Sequence, residues 1–461
     1  MMHHELPQSE GDSNRTTLRQ QWHAECLNDK TRDLLAQDEV SFIHQSLSTP
    51  CLNVLSRCDG AWIEDIEGRR YLDFHGNNVH QIGFGHPRVV KAITEQMQEL
   101  SFCTRRYTNL PAILLAQKLA SLAPGDLNKI LLAPGGSAAI GMALKLARAA
   151  TGRFKTISLW DSFHGASLDA ISIGGEATFR NSAGPLLPGT EHAPPPDPLH
   201  CPFHCGAQCN LRCADYIAYI LEKEGDVGAV IAETVRSTPY IPPVEYWKTV
   251  RAACDKHGAL LILDEIPHAL GRTGRMFTFE HYGIVPDMVV IGKGLGGGIF
   301  PLAALIARDG LDIAPERALG HYTHEKNPVA CAAALAAIDV IEDGVIDHVR
   351  EIGDYAFKAL FELKSRHPLV RDVRGVGLLL GMELESIPGI AASEAAERMM
   401  YGALRKGLNF KVTMSTILTL TPALIITKQE MDLAIRILDE ELTAVEVMAN
   451  SRANLSAETR G

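Results

Sequence analysis

Two uninterrupted apolar runs constrain this chain more than any other feature. The first, Ala259-Leu-Leu-Ile-Leu263, ends on Asp264-Glu265-Ile266-Pro267-His268. The second, Met288-Val-Val-Ile291, follows Asp287 and delivers Lys293 into Gly294-Leu-Gly-Gly-Gly298. Short continuous apolar runs bounded by turn residues are strands buried on both faces, as in parallel sheets covered by helices. One strand therefore ends on carboxylates and the other on an amine. Between them lies the polar segment Gly271-Arg-Thr-Gly274-Arg275.

A lysine leaving a hydrophobic strand loses its proton more easily, because burial disfavours the ammonium form, and it becomes a usable nucleophile. A carboxylate at the end of a neighbouring strand suits another task, keeping a pyridine nitrogen protonated. These are the two protein parts that pyridoxal phosphate requires: a lysine that binds it covalently and an acidic partner under its ring. Taken singly, Lys293 reads equally as a solvated surface lysine and Asp264 as a helix cap. Their succession as strand-Asp-Glu, Gly-Arg-Thr-Gly, strand-Lys-Gly-x-Gly-Gly-Gly outweighs those readings.

Residues 264–274 and 291–304 resemble the class-III aminotransferase family, pyridoxal-phosphate enzymes of fold type I, and the resemblance runs over roughly residues 50–430. It implies an α/β fold with a large, doubly wound, mostly parallel-sheet domain and a small α+β domain built from both termini. The expected boundaries are 1–75 for the N-terminal segment and part of the small domain, and 76–335 for the large cofactor domain with an insertion loop at 184–213. Residues 336–450 complete the small domain, and 451–461 form a disordered polar tail.

Composition fits this frame. The 461 residues allow several domains and a large core, and 46% hydrophobic with 21% charged residues is ordinary for a soluble protein. A net charge of −11 without a basic run argues against a nucleic-acid surface. No apolar stretch is long enough to span a bilayer, and the opening Met-Met-His-His-Glu-Leu lacks the pattern of a secretory leader. A cytoplasmic enzyme is expected. Of ten cysteines, Cys201, Cys205, Cys209 and Cys213 recur every fourth residue, beside His200 and His204. Structural zinc usually takes close Cys-x-x-Cys pairs, so a structural loop cluster is favoured over a metal and none is expected.

Along the chain, a helix is expected near Thr31–Leu47, then hairpins turning at Asp59-Gly60 and Glu67-Gly68. Asn77, Asn78 and His80 sit on a polar loop, with substrate contact and ordinary turn chemistry both open; Asn78 is carried as a candidate contact. Arg105 and Arg106 are candidate anion-binding residues, since a guanidinium forks onto a carboxylate or phosphonate. A strand at 129–133 feeds Pro134-Gly-Gly136-Ser137 and a helix over 138–150. Free N–H groups at such a helix start, with the dipole behind them, hold phosphate. Thr156–Trp160 is a strand leading to Ser162-Phe163-His164, where the resemblance implies that Phe163 stacks on the cofactor ring. The loop 184–213 is expected to lie outside the sheet. Val227–Glu233 is the next buried strand, followed by Arg236.

The resemblance assigns roles to these positions. Gly136 and Ser137 form the phosphate cup, Phe163 and His164 flank the ring, and Glu233, Asp264, Ile266 and Lys293 complete the cofactor contacts. Asp264 and Lys293 are the catalytic pair. Thr323, four residues before Asn327-Pro328, reaches the cofactor phosphate of the neighbouring subunit, which implies a homodimer with shared sites, a tetramer also being open.

Two departures bear on the reaction. Members acting on α-amino or 2-oxo acids carry an arginine near the C-terminus where this chain has Leu418-Thr419-Leu420-Thr421-Pro422-Ala423-Leu424. Threonine supplies no bidentate charged contact. Pro267 stands where the family has a glutamine that bonds to the ring hydroxyl. An enzyme needing no second amino acid tolerates the first loss, so the resemblance points to an ammonia-lyase acting on a small hydroxylated amino-phosphonate. Arg105, Arg106 and Arg236 would then be phosphonate clamps. A transaminase using an oxo acid and a catalytically silent cofactor-binding protein are the alternatives. No partner beyond a small anionic amine and a second copy is expected.

Overall fold

The computed structural model describes residues 14–45, 48–206 and 209–458. The extreme N-terminus and Leu47, both used in the sequence reading, lie outside these residues. The chain divides into two compact units, Met1–Gly85 with His348–Gly461, and His86–Asp347.

In the first unit, strands β1 (Leu55–Asp59), β2 (Trp62–Asp65) and β3 (Arg70–Asp73) form an antiparallel meander. Asp65 closes its second turn by accepting from the backbone N–H of Glu67 and of Arg69, both at 3.0 Å. That is the local reason the chain reverses there: a short carboxylate satisfies backbone donors that the turn leaves open. The expected helix near Thr31 runs over Asp29–Ser41, with the Asn28 side chain capping it by accepting from Thr31 N–H at 2.9 Å.

The second unit is built on a seven-stranded sheet. Its strands are β4 (Leu127–Ala133), β5 (Lys155–Leu159), β6 (Thr190–Ala193), β7 (Val227–Glu233), β8 (Leu260–Asp264), β9 (Met288–Ile291) and β10 (Ala303–Arg308). They lie in the order β4-β10-β9-β8-β7-β5-β6, with β10 antiparallel to both its neighbours and the other pairings parallel. The three central strands β7, β8 and β9 are buried almost throughout, as their unbroken apolar runs require. The helix Gly136–Thr151 buries Ile140, Ala143, Leu144 and Ala147 in one cluster with Ile231, Ile262, Val290 and Leu305 of the sheet. Each fully buried Leu, Ile or Val contributes about 1.5–3 kcal/mol relative to exposure.

Two expectations are corrected here. The loop 184–213 was taken to lie outside the sheet, yet Thr190–Ala193 is its edge strand, paired in parallel with Thr156–Leu159. An edge strand is short and needs apolar side chains only where it meets its neighbour, so Thr-Glu-His-Ala between prolines carries no strand signature. Cys213 also leaves the loop, since it lies buried in the helix Arg212–Glu224. The tail taken as disordered from 451 is helical as far as Glu458, at the end of the helix Lys428–Glu458.

The C-terminal part of the first unit supplies β11 (Val370–Val376), β12 (Leu379–Leu384), β13 (Leu408–Asn409), β14 (Lys411–Thr413) and β15 (Ile417–Leu420). Strand β13 joins β3 in parallel, and the other four form a sheet in the order β11-β12-β15-β14. With the helices Ile346–Arg366, Ala392–Arg405 and Lys428–Glu458 this makes an α+β unit.

Candidate active site

The carboxyl ends of β5, β7, β8 and β9 gather the side chains that the sequence singled out within the second unit. Asp264 ends β8 and Glu233 ends β7, directly opposite one another in the strand register. The His164 imidazole follows β5 and meets Asp264, with Nδ1 2.8 Å from Oδ2 and both side chains almost wholly buried. The other Asp264 oxygen accepts from the Ile266 backbone N–H at 3.1 Å. The carboxylate is thus fixed in orientation by a ring and a backbone amide, as a buried charge must be. The second ring nitrogen of His164 lies 3.5 Å from the Ser158 hydroxyl, a long contact that leaves this edge of the ring weakly bound.

Lys293 opens the 3-10 turn Lys293–Gly296 and has φ +47, in the left-handed region that non-glycine residues avoid. The turn that follows is closed by Leu295 N–H donating to Gly292 O and Gly297 N–H donating to Gly294 O, both at 3.0 Å. Backbone strain of this kind costs on the order of 1–3 kcal/mol and is characteristic of functional positions.

Lys293 and Asp264 line one cavity of about 370 Å3, together with Gly135, Gly136, Ser137 and Phe163. Gly136 opens the helix after β4 with its first N–H groups unspent, and a Cβ there would come within 2.8 Å of Ile266 Cδ1. Gly165, at φ +124, passes so close that a Cβ would sit 2.0 Å from Ser137 Oγ. Gly165 is therefore required for this wall of the cavity to close, whereas at Gly136 the Ile266 side chain would have to shift. Phe163 packs on Phe179 with ring centroids 4.5 Å apart. Ile266 and Pro267 also line the cavity.

Burial shapes the charges nearby. Glu233 is pushed up to about 7 by desolvation, against the Arg236 guanidinium, which with His164 and Lys293 favours its charged form. Glu265 is likewise raised to about 7 by burial, although it accepts from the Thr234 hydroxyl at 2.7 Å and from the Thr278 and Phe279 backbone N–H groups at 2.6 and 2.8 Å. It is a tie between segments. Thr234 is one end of that tie. Burial lowers His268 to about 3 and keeps it neutral.

Gly136, Ser137, Phe163, His164, Asp264, Ile266 and Lys293 are thus brought to one place. Other candidates stand elsewhere. Arg105 and Arg106 are exposed, and Arg105 pairs with Glu325 at 3.6 Å beside a different cavity. Thr323 is exposed in a turn and does not line the cavity. Asn78 belongs to the other unit, where it is buried with φ +59. Arg236 is buried beside Glu233. Sequence reasoning missed Pro301 and Leu302 as cavity wall, though the Gly-rich turn running into Phe300-Pro301 was the available signal. Among the described residues, no three His, Cys, Asp or Glu side chains are gathered to hold a metal ion, and no helix is long and apolar enough to cross a membrane.

The class-III aminotransferase family model matches residues 43–442. The chain belongs to that family. It uses pyridoxal phosphate, and the residues present fit that group: small residues at a helix N-terminus, an aromatic wall, a buried carboxylate and a lysine on one cavity. The chain is 45% identical over 456 residues, 95% of both chains, to an (R)-1-hydroxy-2-aminoethylphosphonate ammonia-lyase of Vibrio splendidus. It is 34% identical to an acetylornithine aminotransferase of Caldanaerobacter subterraneus over 85% of this chain and 95% of that one. Among solved structures, an (S)-enantioselective omega-transaminase from Thermomicrobium roseum superposes with a TM-score of 0.82 at 29% identity, covering 91% of this chain and 99% of that one. The protein is accordingly a pyridoxal-phosphate enzyme acting on small amine or amino substrates.

Proposed function

We propose that this enzyme is an ammonia-lyase that converts (R)-1-hydroxy-2-aminoethylphosphonate to phosphonoacetaldehyde and ammonia. The observation that carries the reading is the 45% identity to the Vibrio splendidus lyase across 95% of both chains. The threonines in place of the C-terminal arginine support it. Thr419 Oγ1 lies 2.8 Å from Thr413 Oγ1 and Thr421 Oγ1 donates to Phe74 O at 3.1 Å, so both buried hydroxyls are engaged within their own unit. Neither replaces a guanidinium as anchor for an α-carboxylate.

Gly136 and Ser137 would hold the cofactor phosphate, Phe163 would face the ring, and Asp264 would meet the ring nitrogen. Pyridoxal phosphate, when bound, supplies an electron sink for charge developing on the amine-bearing carbon. Lys293 would hold that group through Nζ, and the same amine would take the proton from the amine-bearing carbon of the substrate. The hydroxyl leaves the neighbouring carbon, and the released enamine takes up water to give the aldehyde and ammonia. The water consumed equals the water lost, so no oxo acid is needed. Asp264, held in orientation by His164 and the Ile266 N–H, would face the ring nitrogen of the cofactor. The reading takes the protein as a cytoplasmic homodimer in which Thr323 serves the neighbouring subunit's site.

The test is ammonia release from (R)-1-hydroxy-2-aminoethylphosphonate with every oxo acid omitted. Sustained turnover is expected, and strict dependence on an acceptor would overturn the reading. The second reading is an omega-transaminase, favoured by the aminotransferases among the relatives and by the solved transaminases of the same fold.

A further inference from the structure

Beside the site lies a buried arginine whose charge is only loosely answered. Arg236 follows β7, is 6% exposed, and has its Nη1 buried without a hydrogen-bond partner. Its Nε lies 3.7 Å from Glu233 Oε2, an ion-pair distance too long for a hydrogen bond. Its guanidinium stands 5.7 Å from the centroid of the Tyr240 ring. An arginine presents five donors in a planar fork, and leaving one buried and unmade is costly. The void touching Arg236, between Trp160, Pro195, Glu233 and Tyr240, is about 20 Å3, room for a water and not for a phosphonate. An anion can therefore reach this fork only if the Glu233 carboxylate gives way.

We propose that Arg236 is the anchor for the anionic group of the substrate, and that Glu233 is its exchangeable counter-charge, which takes up a proton when the anion replaces it. This rests on the reading of the enzyme as one acting on a small anionic amine, and it deepens that reading by assigning the residue that recognises the anion. The charged groups facing Glu233 are Arg236 from its own segment, His164 from the loop after β5, Asp264 at the end of β8, and Lys293 from the turn after β9. Asp264 repels the Glu233 carboxylate and the others attract it, with burial the dominant influence, so Glu233 stands near 7. An anion on Arg236 removes its strongest attraction and adds a second repulsion. Glu233 is then protonated, and it becomes a donor to the anion that displaced it. The sign follows. Anion affinity is constant while Glu233 is already protonated, below about 7, and falls as pH rises above it, approaching tenfold per unit because each binding event takes up one proton.

The test uses the cofactor-loaded enzyme and two probes that lack an amine and cannot react. Calorimetry with 2-hydroxyethylphosphonate at a fixed pH should show Arg236→Gln weakened by about tenfold or more, with Arg236→Lys between it and the parent. Cofactor absorption and melting temperature, measured alongside, identify a variant that has misfolded, in which case Arg236→Lys carries the comparison. Calorimetry with 2-hydroxyethanesulfonate, whose charge does not titrate, should give a flat Kd below about pH 7 and a rising one above it. Glu233→Gln should make it flat throughout. Parent-like binding by folded Arg236→Gln and Arg236→Lys overturns the proposal, as does a parent Kd that ignores pH or a Glu233→Gln variant that keeps the parent slope. Anion binding lost at Arg236 in an enzyme that releases no ammonia sinks the lyase reading and leaves this inference standing. Ammonia release with unaltered anion binding in Arg236→Gln does the reverse.

Discussion

Two buried histidine–carboxylate pairs in this protein have the same chemistry and opposite uses. In the second unit His164 meets Asp264 through one ring nitrogen at 2.8 Å, and its other nitrogen has only the 3.5 Å contact to Ser158. In the first unit His367 is 6% exposed and engaged through both nitrogens, Nδ1 at 3.0 Å from Glu446 Oε2 and Nε2 at 2.8 Å from Asp439 Oδ1. The first pair opens on a cavity with a strained lysine. The second joins the end of the helix Ile346–Arg366 to the C-terminal helix, with Leu369 N–H also donating to Glu446 at 3.2 Å. A polar group whose valences are all met by the protein is a fastener. One left partly unmet at the edge of a void is available to a ligand.

The sharpest way to break this contrast is Lys293→Ala. It is expected to lower turnover by more than about 10^4-fold and to abolish the visible absorption of bound cofactor, while the fold persists. Spectroscopy and far-UV circular dichroism on the same sample check both halves. Retained absorption would remove the lysine from its role. Next in size, Asp264→Asn should cost about 10^2- to 10^4-fold in kcat, because a neutral amide cannot keep a ring nitrogen protonated. His164→Phe should cost less than Asp264→Asn while shifting the absorption maximum. Kinetics and spectra of the two variants side by side would sharpen the assignment of Asp264 as the contact and His164 as the residue that orients it.

Glu265 offers a test of a fastener inside the second unit. Its folded value of about 7 lies above the ordinary carboxylate value of 4.5, so the folded chain holds this proton more tightly than the unfolded chain. The stability it contributes is fully present below about 4.5 and is lost as pH rises through about 7, a change of up to about 3 kcal/mol. Glu265→Gln should flatten that part of the stability profile, read by denaturant unfolding at a series of pH values. An unchanged profile would assign the slope to Glu233 or another group. The smallest effect expected is that of His367→Ala, about 2 kcal/mol of stability from two charge-assisted bonds. Turnover at moderate temperature should stay at the parent level. A large loss of activity would erase the distinction between the two histidines.

Much of this was legible in the residues themselves. Unbroken apolar runs such as Leu260–Leu263 and Met288–Ile291 can only be strands covered on both sides, and a strand has one residue at its end, so Asp264 and Lys293 had to emerge at the same edge of a parallel sheet. The helix start at Gly136-Ser137 was readable for a similar local reason, since small residues after a strand leave helix N–H groups open. The edge strand Thr190–Ala193 was not, because its pairing is made by backbone groups whose partner lies more than thirty residues away and whose side chains need not be apolar.

What the sequence by itself determined is therefore the lysine and the aspartate at the ends of two buried strands, from short-range pattern and residue chemistry, and, through its resemblance to the class-III aminotransferases, the family and the cofactor. Only the tertiary structure separated the arginines. Arg105 and Arg106 look as good as Arg236 in one dimension, yet Arg105 is exposed and answered by Glu325, whereas Arg236 is buried beside Glu233 with an unspent donor. A charge acquires its meaning from desolvation and from what stands within a few ångströms of it. Those are properties of packing between strands distant in the chain, which no local run of residues encodes.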